Sequence, residues 1–196
     1  MSAALMKTRE APHTFVDDLE SILYVILWLA LMYSISSMDA PTLTAFIQSV
    51  LDTKQYGGTG GTAKADFLKG RSMMNDLTFK DRPQLKKLLE DLAMLFAIRY
   101  EKKPTDEDFK LLQIADARIV EHLEAWKYTR RQQQLRSHHH INHLLTASIQ
   151  DPTCWPGDDH AKQRTLVHPQ EDGKRKVTKS GWAISDRPLK KLKPKA

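Results

Sequence analysis

The pattern of apolar and polar positions predicts helices along most of the chain. The stretch HTFVDDLESILYVILWLALMYS, residues 13–34, places acidic residues directly before an apolar run, and residues 22–38 carry no charge. Asp17 or Asp18 can cap a helix that ends near Met32, because a carboxylate there meets unpaired N–H groups and the positive end of the helix dipole. No segment alternates convincingly with period two, so we predict an all-α body to about residue 150.

The apolar run itself fits two interpretations. A helix that is apolar on every face beyond Ile22 is either a buried core helix or a membrane span. The charge-free run has 17 residues and three serines near its end, whereas a span needs about 20 predominantly apolar residues. Since the other helices are amphipathic, we expect a buried central helix and no membrane contact. A membrane anchor is the distant alternative.

Caps and prolines predict the next helices. Asp39 and Pro41 suit the start of a second helix, and a shorter helix is expected over residues 65–74. Asp81 is expected to cap a further helix, and Pro83 to open it. The apolar face of that helix comprises Leu85, Leu88, Leu89, Leu92, Leu95 and Phe96.

One long helix is predicted after Pro104. Thr105 and Asp108 have the spacing of a capping box, in which the two side chains satisfy backbone N–H groups at the helix start. The apolar face of this helix comprises Phe109, Leu112, Ala115, Ile119, Leu123 and Trp126. The segment becomes polar at residues 129–137, TRRQQQLRS.

Length and composition are those of one domain followed by a tail. The chain has 196 residues, of which 41% are hydrophobic and 28% are charged, so a packed core is feasible. A single cysteine cannot form an internal disulfide, and the first residues, MSAALMKTRE, lack the pattern of a signal peptide. We therefore expect an intracellular protein, either nuclear or cytoplasmic.

Positive charge is concentrated in the tail. Residues 157–196 hold eleven Lys/Arg and five Asp/Glu, which accounts for the whole formal net charge of +6. We predict a folded body over residues 1–150 and an extension over 151–166 that could pack on it through Trp155. Residues 167–196 are predicted to be a disordered basic tail.

Two basic clusters in the tail have the spacing of a two-part nuclear-import signal. They comprise Lys174, Arg175 and Lys176, followed by Lys190, Lys191, Lys193 and Lys195. The same residues could instead form a solvated tail that contacts nucleic acid weakly through its phosphates. Neither interpretation places a basic binding face on the body, because residues 1–156 are neutral overall.

Four histidines lie close together in the sequence and form a candidate metal site. It comprises His138, His139, His140 and His143. Two of them, His140 and His143, share a helical face, as zinc ligands often do. No acidic or cysteine partner lies at suitable spacing, and basic groups suit the negative end of a helix dipole. We therefore expect a solvated helix terminus and no metal.

Other candidate chemical groups lack the partners that they need. Cys154 has no identifiable base to activate its thiol. The adjacent carboxylates of Asp158 and Asp159 point apart, so a shared acid–base role is not expected. The segment YGGTGGTAK, residues 56–64, departs from the phosphate-loop pattern and follows a helix rather than a strand. We expect a flexible turn there and no cofactor site in the chain.

The acidic and apolar stretch also resembles a known family. DDLESILYVILW, residues 17–28, is similar to the start of the central helix of the protein-kinase C-terminal lobe, and casein-kinase-type sequences carry an almost identical DDLES. The chain resembles more closely the fungal-type protein kinase family. That resemblance rests on residues 13–34, KADFLKGRS at 64–72, DRPQLKKLLEDLAMLFAIRYEKKPT at 81–105 and, more weakly, DPTCWPGDD at 151–159. It implies that residues 1–160 form the helical C-terminal lobe of a protein-kinase-like fold.

Asp18 matches the aspartate that starts the central helix of the kinase lobe. The resemblance implies that its carboxylate accepts hydrogen bonds from the backbone of the catalytic loop, so that Asp18 organises the loop without taking part in the chemistry. MSAALM, residues 1–6, is similar to the end of the activation segment, and Ala4 stands where kinases have a glutamate. In kinases this glutamate forms a buried ion pair with an arginine of the later helices, which Ala4 cannot form.

The sequence has no candidates for the parts that phosphoryl transfer needs. There is no glycine-rich lid, phosphate-binding lysine, catalytic aspartate or metal-binding Asp and Asn, and EDG at 171–173 lies in the polar tail. We therefore expect a C-terminal fragment of a fungal-type serine/threonine kinase that is inactive alone. Mg-ATP is implied only for an intact family member, and the expected partner is the missing kinase portion or another protein. The alternative is a free-standing helical interaction module with a nuclear-import or nucleic-acid-binding tail.

Overall fold

Ten α-helices account for most of the residues that the structure describes. The structure is a computed structural model, and it describes residues 1–7, 10, 12–51, 61–150, 155 and 162–167. The helices are α1 (Ala3–Lys7), α2 (Phe15–Tyr33), α3 (Ala40–Phe46), α4 (Thr62–Gly70), α5 (Ser72–Asp76), α6 (Pro83–Ala97), α7 (Asp106–Ile114), α8 (Ala117–Val120), α9 (Glu124–Gln134) and α10 (His139–Ile149). A π-helical turn, Ile47–Leu51, continues α3. The described residues form no strand, so the predicted all-α class is confirmed for this part of the chain.

The core is centred on α6. This helix contacts α2, α4 and α10, and α4 in turn contacts α1 and the π-helical turn. The apolar face predicted for α6 is confirmed, because all six of its residues are buried. The largest fully buried apolar side chains are Phe96, Leu23, Leu27, Leu31, Leu43, Leu68, Leu89, Leu92 and Ile141.

Only one face of α2 is buried. Leu23, Leu27 and Leu31 are at most 1% exposed, at the four-residue spacing that places side chains on one helical face. On the other face, Ile22 is 41% exposed and Val25 is 57% exposed. The expectation that this helix is buried all round is therefore wrong, because its apolar residues exceed what the described core covers. No helix in the described residues is both long enough and apolar enough to cross a membrane.

The predicted caps of α3 and α7 are confirmed. Asp39 Oδ1 accepts a hydrogen bond from the backbone N–H of Thr42 at 2.8 Å. Asp108 Oδ2 accepts from the backbone N–H and the hydroxyl of Thr105, both at 2.7 Å. These bonds satisfy N–H groups that have no partner inside a helix.

The predicted cap of α2 is wrong by three or four residues, and that of α6 by one residue. Thr14 is the N-cap of α2, and Asp17 accepts hydrogen bonds from its backbone N–H at 2.8 Å and its hydroxyl at 2.7 Å. Arg82 is the N-cap of α6, with Pro83 in the first turn as predicted. Asp81 lies outside the helix in the left-handed region, with φ of 56°.

The long helix predicted after Pro104 is divided into α7, α8 and α9. Ala115 has ψ of 142°, which ends α7, and Asp116 accepts a hydrogen bond from the N–H of Arg118 at 2.8 Å to start α8. An aspartate that bonds a backbone group two residues ahead competes with helix continuation. The helix predicted over residues 65–74 is likewise divided, at Arg71 with φ of 48°.

The described parts of the C-terminal extension contact the body. Trp155 Nε1 donates to the carbonyl of Ser148 at 2.9 Å. The Arg164 guanidinium donates to Ser36 Oγ at 2.6 Å and to the Met38 carbonyl at 2.7 Å. Several predicted features lie outside the described residues: Cys154, Asp158, Asp159, both basic clusters of the tail and most of the glycine-rich segment.

Candidate functional site

The start of α2 carries two acidic residues on its buried face. Asp17 is 2% exposed and Glu20 is fully buried. They lie three residues apart and continue into the buried row of Leu23 and Leu27. Because a buried carboxylate is stable only when it is paired and hydrogen-bonded, their partners define the site.

Arg99, just beyond the end of α6, pairs with both carboxylates. Its Nη2 lies 2.7 Å from Asp17 Oδ1, and its Nη1 donates to Glu20 Oε2. Burial would lower the pKa of Arg99, but the hydrogen bond to Asp17 and the charge of Glu20 raise it instead. The guanidinium is therefore a permanent charge between the two carboxylates.

The Asp17 carboxylate is held ionised by hydrogen bonds from three side chains. Ser2 Oγ donates to its Oδ1 at 2.8 Å, in addition to the bonds from Arg99 and Thr14. Burial would raise the pKa of Asp17, but these hydrogen bonds hold its pKa well below the usual range. A carboxylate that accepts several bonds favours its charged form in this way.

Tyr100 links the Glu20 carboxylate to the N-terminal segment. Its hydroxyl lies 2.8 and 2.7 Å from the two Glu20 oxygens, to which it donates, and it accepts from the Ala4 N–H at 3.0 Å. The N–H of Ala3 donates to Glu20 Oε1 at 2.8 Å. Burial, together with the hydrogen bond to Glu20, raises the pKa of Tyr100 above its usual value, so the hydroxyl keeps its proton.

Lys64 contacts the same region from α4. Its Nζ donates to the Met1 carbonyl at 3.0 Å and lies 4.5 Å from the centre of the Tyr24 ring. Burial lowers the pKa of Lys64, and the charge of Glu20 opposes this. Within the described residues, no buried side-chain N or O atom lacks a hydrogen-bond partner. The network therefore anchors residues 1–7, and its polar groups are already engaged.

Asp18, the residue expected to organise a catalytic loop, lies beside this network on the exposed face of α2. Its side chain is 68% exposed, and its Oδ1 is 3.1 Å from His13 Nε2. Ile22, Val25 and Leu29 follow it at four- and three-residue spacing, so the four side chains share one side of the helix. We call these four residues the exposed α2 face. It combines an accessible carboxylate with an apolar surface.

Sequence reasoning missed the residues of the buried network. Asp17 and Glu20 share the periodicity of the buried leucines, which is the signal that could have identified them. Arg99 and Tyr100 directly follow the apolar run LAMLFAI, residues 92–98, and so lie at the edge of the core. Ala4 cannot form the ion pair that kinases form at this position. In this chain the Glu20 carboxylate contacts the same N-terminal segment, through the Ala3 N–H, and pairs with Arg99.

The four histidines lie at the start of α10 and not at the end of α9. His138 is the N-cap residue, and its ring centre is 4.6 Å from that of His139. Burial and the neighbouring His143 lower the pKa of His140. Among the described residues, no three His, Cys, Asp or Glu side chains are grouped so that they could hold a metal ion.

No family model, curated protein or solved structure matches the chain. Two features lie at the start of α2. In the buried network, the polar side-chain groups already have hydrogen-bond partners within the chain. The exposed α2 face is accessible, so it is the candidate functional surface.

Proposed function

We propose that the chain is the C-terminal helical portion of a fungal-type protein kinase domain, and that the rest of the domain packs on the exposed α2 face. The position of Asp18 at the head of this face is the observation that carries the proposal. A loop whose backbone N–H groups donate to the Asp18 carboxylate would lie over Ile22 and Val25. In the family that this sequence resembles, the corresponding loop is the catalytic loop. Asp18 would therefore be a positioning residue.

The exposed apolar side chains support a partner at this place. Val25 is 57% exposed and Leu29 is 46% exposed, and Phe15, one turn before Asp18, is 48% exposed. Contiguous apolar surface on a soluble protein commonly marks an interaction site. Because the opposite face of α2 is held by the Arg99 network, the helix can present this surface without moving.

In this proposal the chain has no kinase activity of its own. Its 196 residues contain none of the ATP-binding or catalytic motifs of a kinase. Mg-ATP and serine/threonine phosphorylation would belong to the intact domain only. Incubation of the purified chain with Mg-ATP and a protein substrate is expected to give no phosphorylation. Phosphate transfer that stops when magnesium is removed would overturn this part of the proposal.

The experiment that tests the proposal is to sequence the native transcript through its 5′ end. A reading frame that continues upstream of Met1 into a glycine-rich loop, a catalytic aspartate and a metal-binding aspartate would support it. A stop codon directly upstream in a translated transcript would overturn it. In the extended protein, Asp18→Asn should reduce kinase activity, whereas Asp66→Asn, which removes an exposed partner of Lys69, should not.

A free-standing helical interaction module is the second candidate, and the closed N-terminal network favours it. Residues 1–7 are anchored by Glu20, Tyr100 and Lys64, as expected of a body that folds by itself. Such a module would be a monomer with one cooperative unfolding transition. A lobe that lacks its loop would instead self-associate or bind an apolar dye through the exposed α2 face. The basic tail would then serve nuclear import or contact nucleic acid.

A further inference from the structure

We propose that a groove between α7 and α9 binds single-stranded nucleic acid. The groove has a volume of about 540 Å³, within the range of about 300–1,000 Å³ that is usual for ligand sites. It shares no residue with the exposed α2 face, so this inference is independent of the kinase proposal. Its principal lining residues are Lys103, Phe109, Tyr128, Gln132, Gln133 and Arg136.

The groove is positively charged although the folded body is neutral overall. Lys103 and Arg136 line it, and no acidic residue does. Neither cation forms an ion pair with another described residue. The stretch from 125 to 150, which forms most of α9 and all of α10, contains no Asp or Glu at all. Both cations are therefore available to an anionic ligand.

Two acidic residues near the groove in sequence, Asp108 and Glu101, already have partners outside it. Asp108 accepts two hydrogen bonds from Thr105 at the start of α7. Glu101 Oε2 lies 3.4 Å from Arg131 Nη1, whereas Arg136, two residues beyond the end of α9, has no acidic partner among the described residues. Asp106 and Glu107 of α7 are close to Lys103 in sequence but do not line the groove, whose own lining therefore carries two positive charges and no negative charge.

Aromatic side chains favour nucleic acid over an acidic peptide. Phe109 and Tyr128 contribute half-buried rings to the groove. Every base has a face that can stack on such rings, and stacking combined with cations is how proteins bind single strands without reading sequence. An acidic side chain has charge but no such face, and a duplex keeps the faces of its bases covered. The Gln132 amide, which donates to the Tyr128 hydroxyl at 3.4 Å, adds a polar group beside the ring.

The test compares groove variants of the full chain by fluorescence anisotropy with a labelled oligo(dT) over a series of salt concentrations. The basic tail contributes background binding to every protein, so only differences between variants count. Arg136→Gln and Lys103→Gln should each weaken binding and reduce the slope of log affinity against log salt by about 0.7. Lys80→Gln, an exposed cation outside the groove, is the matched control and should leave the slope unchanged.

A stacking variant tests the aromatic contribution separately. Tyr128→Leu should weaken oligo(dT) binding by roughly five- to 150-fold, the range for loss of one stacked base. Because Tyr128 also packs on the core, the two cation variants remain decisive if this variant folds poorly. Groove variants that bind oligo(dT) as the Lys80→Gln control does would overturn the proposal. A polyglutamate peptide that binds more tightly than oligo(dT) would also overturn it, in favour of an acidic protein partner.

Discussion

Arg99 Nη2 lies 2.7 Å from Asp17 Oδ1, although the two residues are 82 positions apart in the chain. The contact joins the end of α6 to the start of α2. With Glu20 as a second acceptor, Arg99 fixes the orientation of α2 from its buried side. Asp18 on the opposite side is therefore held in place by side chains that it does not touch.

Removal of Arg99 is expected to destabilise the fold strongly. Arg99→Met leaves the carboxylates of Asp17 and Glu20 buried without their cation, and breaking a buried ion pair from one side costs about 3–5 kcal/mol. Urea unfolding followed by circular dichroism would measure this loss of unfolding free energy.

The control is an exposed ion pair on α6. Lys87 Nζ lies 2.8 Å from Asp91 Oδ2, with the lysine side chain 68% exposed. Lys87→Gln should cost only about 0.2–0.5 kcal/mol, as is usual for such helix pairs. Equal losses for Lys87→Gln and Arg99→Met would show that the buried network stabilises the fold no more than an exposed ion pair does.

The stability of the fold should fall in acid because of Asp17. Its pKa is lower in the folded chain than the value of about 3.9 expected for the unfolded chain. Its ionised form therefore stabilises the fold above about pH 4, and this contribution is lost as the pH falls below that value toward the folded pKa.

Urea unfolding at a series of pH values tests this dependence. Asp17→Asn should have a lower unfolding free energy than the parent chain at neutral pH. On acidification, the unfolding free energy of this variant should fall less than that of the parent chain. Capping carboxylates such as Asp39 and Asp108, whose pKa values are lowered by hydrogen bonds from Thr42 and Thr105, affect both proteins alike. If the unfolding free energies of the parent chain and of Asp17→Asn changed with pH in parallel, Asp17 would not be the source of the loss of stability in acid.

Features that depend on neighbours in sequence could be predicted. The caps of α3 and α7 join residues only three apart, Asp39 with Thr42 and Thr105 with Asp108. The buried face of α6 follows from its apolar spacing, since a helix brings residues three and four apart to one side. Local pattern therefore identifies most of the helices and the centre of the core.

Features that depend on distant partners could not be predicted. Asp17 is buried because it pairs with Arg99, whereas Asp18 is exposed. Arg99 is 82 positions away from Asp17, so the sequence around Asp17 does not show which aspartate is buried. The break between α7 and α8 arises because the Asp116 side chain bonds the Arg118 N–H, although the apolar spacing continues through it. The predicted apolar face is only half-buried there at Phe109, Leu112 and Ala115, since α7 and α8 contain no fully buried residue.

Gly61 is expected to be required for the position of residues 1–7. A Cβ atom at Gly61 would lie 2.1 Å from the Ala3 carbonyl oxygen and 2.9 Å from Lys7 Cγ. Because the first clash is with backbone, Gly61→Ala should displace the segment. Hydrogen exchange would detect this as loss of protection at the N–H groups of Ala3 and Ala4, which donate to Glu20 and Tyr100.

Gly70→Ala is the matched control for this substitution. A Cβ atom at Gly70, the last residue of α4, would have no neighbour within 4 Å. Replacing this exposed glycine at the helix end by alanine should change the unfolding free energy by no more than about 0.5 kcal/mol and leave the N-terminal amides protected. Unchanged protection in Gly61→Ala would show that the segment is not held against α4.

The two faces of α2 should respond differently to substitution. Val25 is 57% exposed on the exposed α2 face, and Leu27 is fully buried on the other. Val25→Glu places a charge where solvent already reaches, so its effect on the unfolding free energy should stay within about 0.5 kcal/mol. Leu27→Ala leaves a cavity in the core and should cost about 2–5 kcal/mol.

The same pair of variants separates surface exposure from loss of folding. If the exposed α2 face drives self-association, Val25→Glu should reduce both apolar dye binding and the oligomer fraction in sedimentation velocity, with the unfolding transition unchanged. Leu27→Ala should increase dye binding, because a destabilised core exposes more apolar surface. Destabilisation of Val25→Glu to the same degree as Leu27→Ala would mean that this face is packed inside the folded chain. It could then not serve as the surface on which the rest of a kinase domain docks.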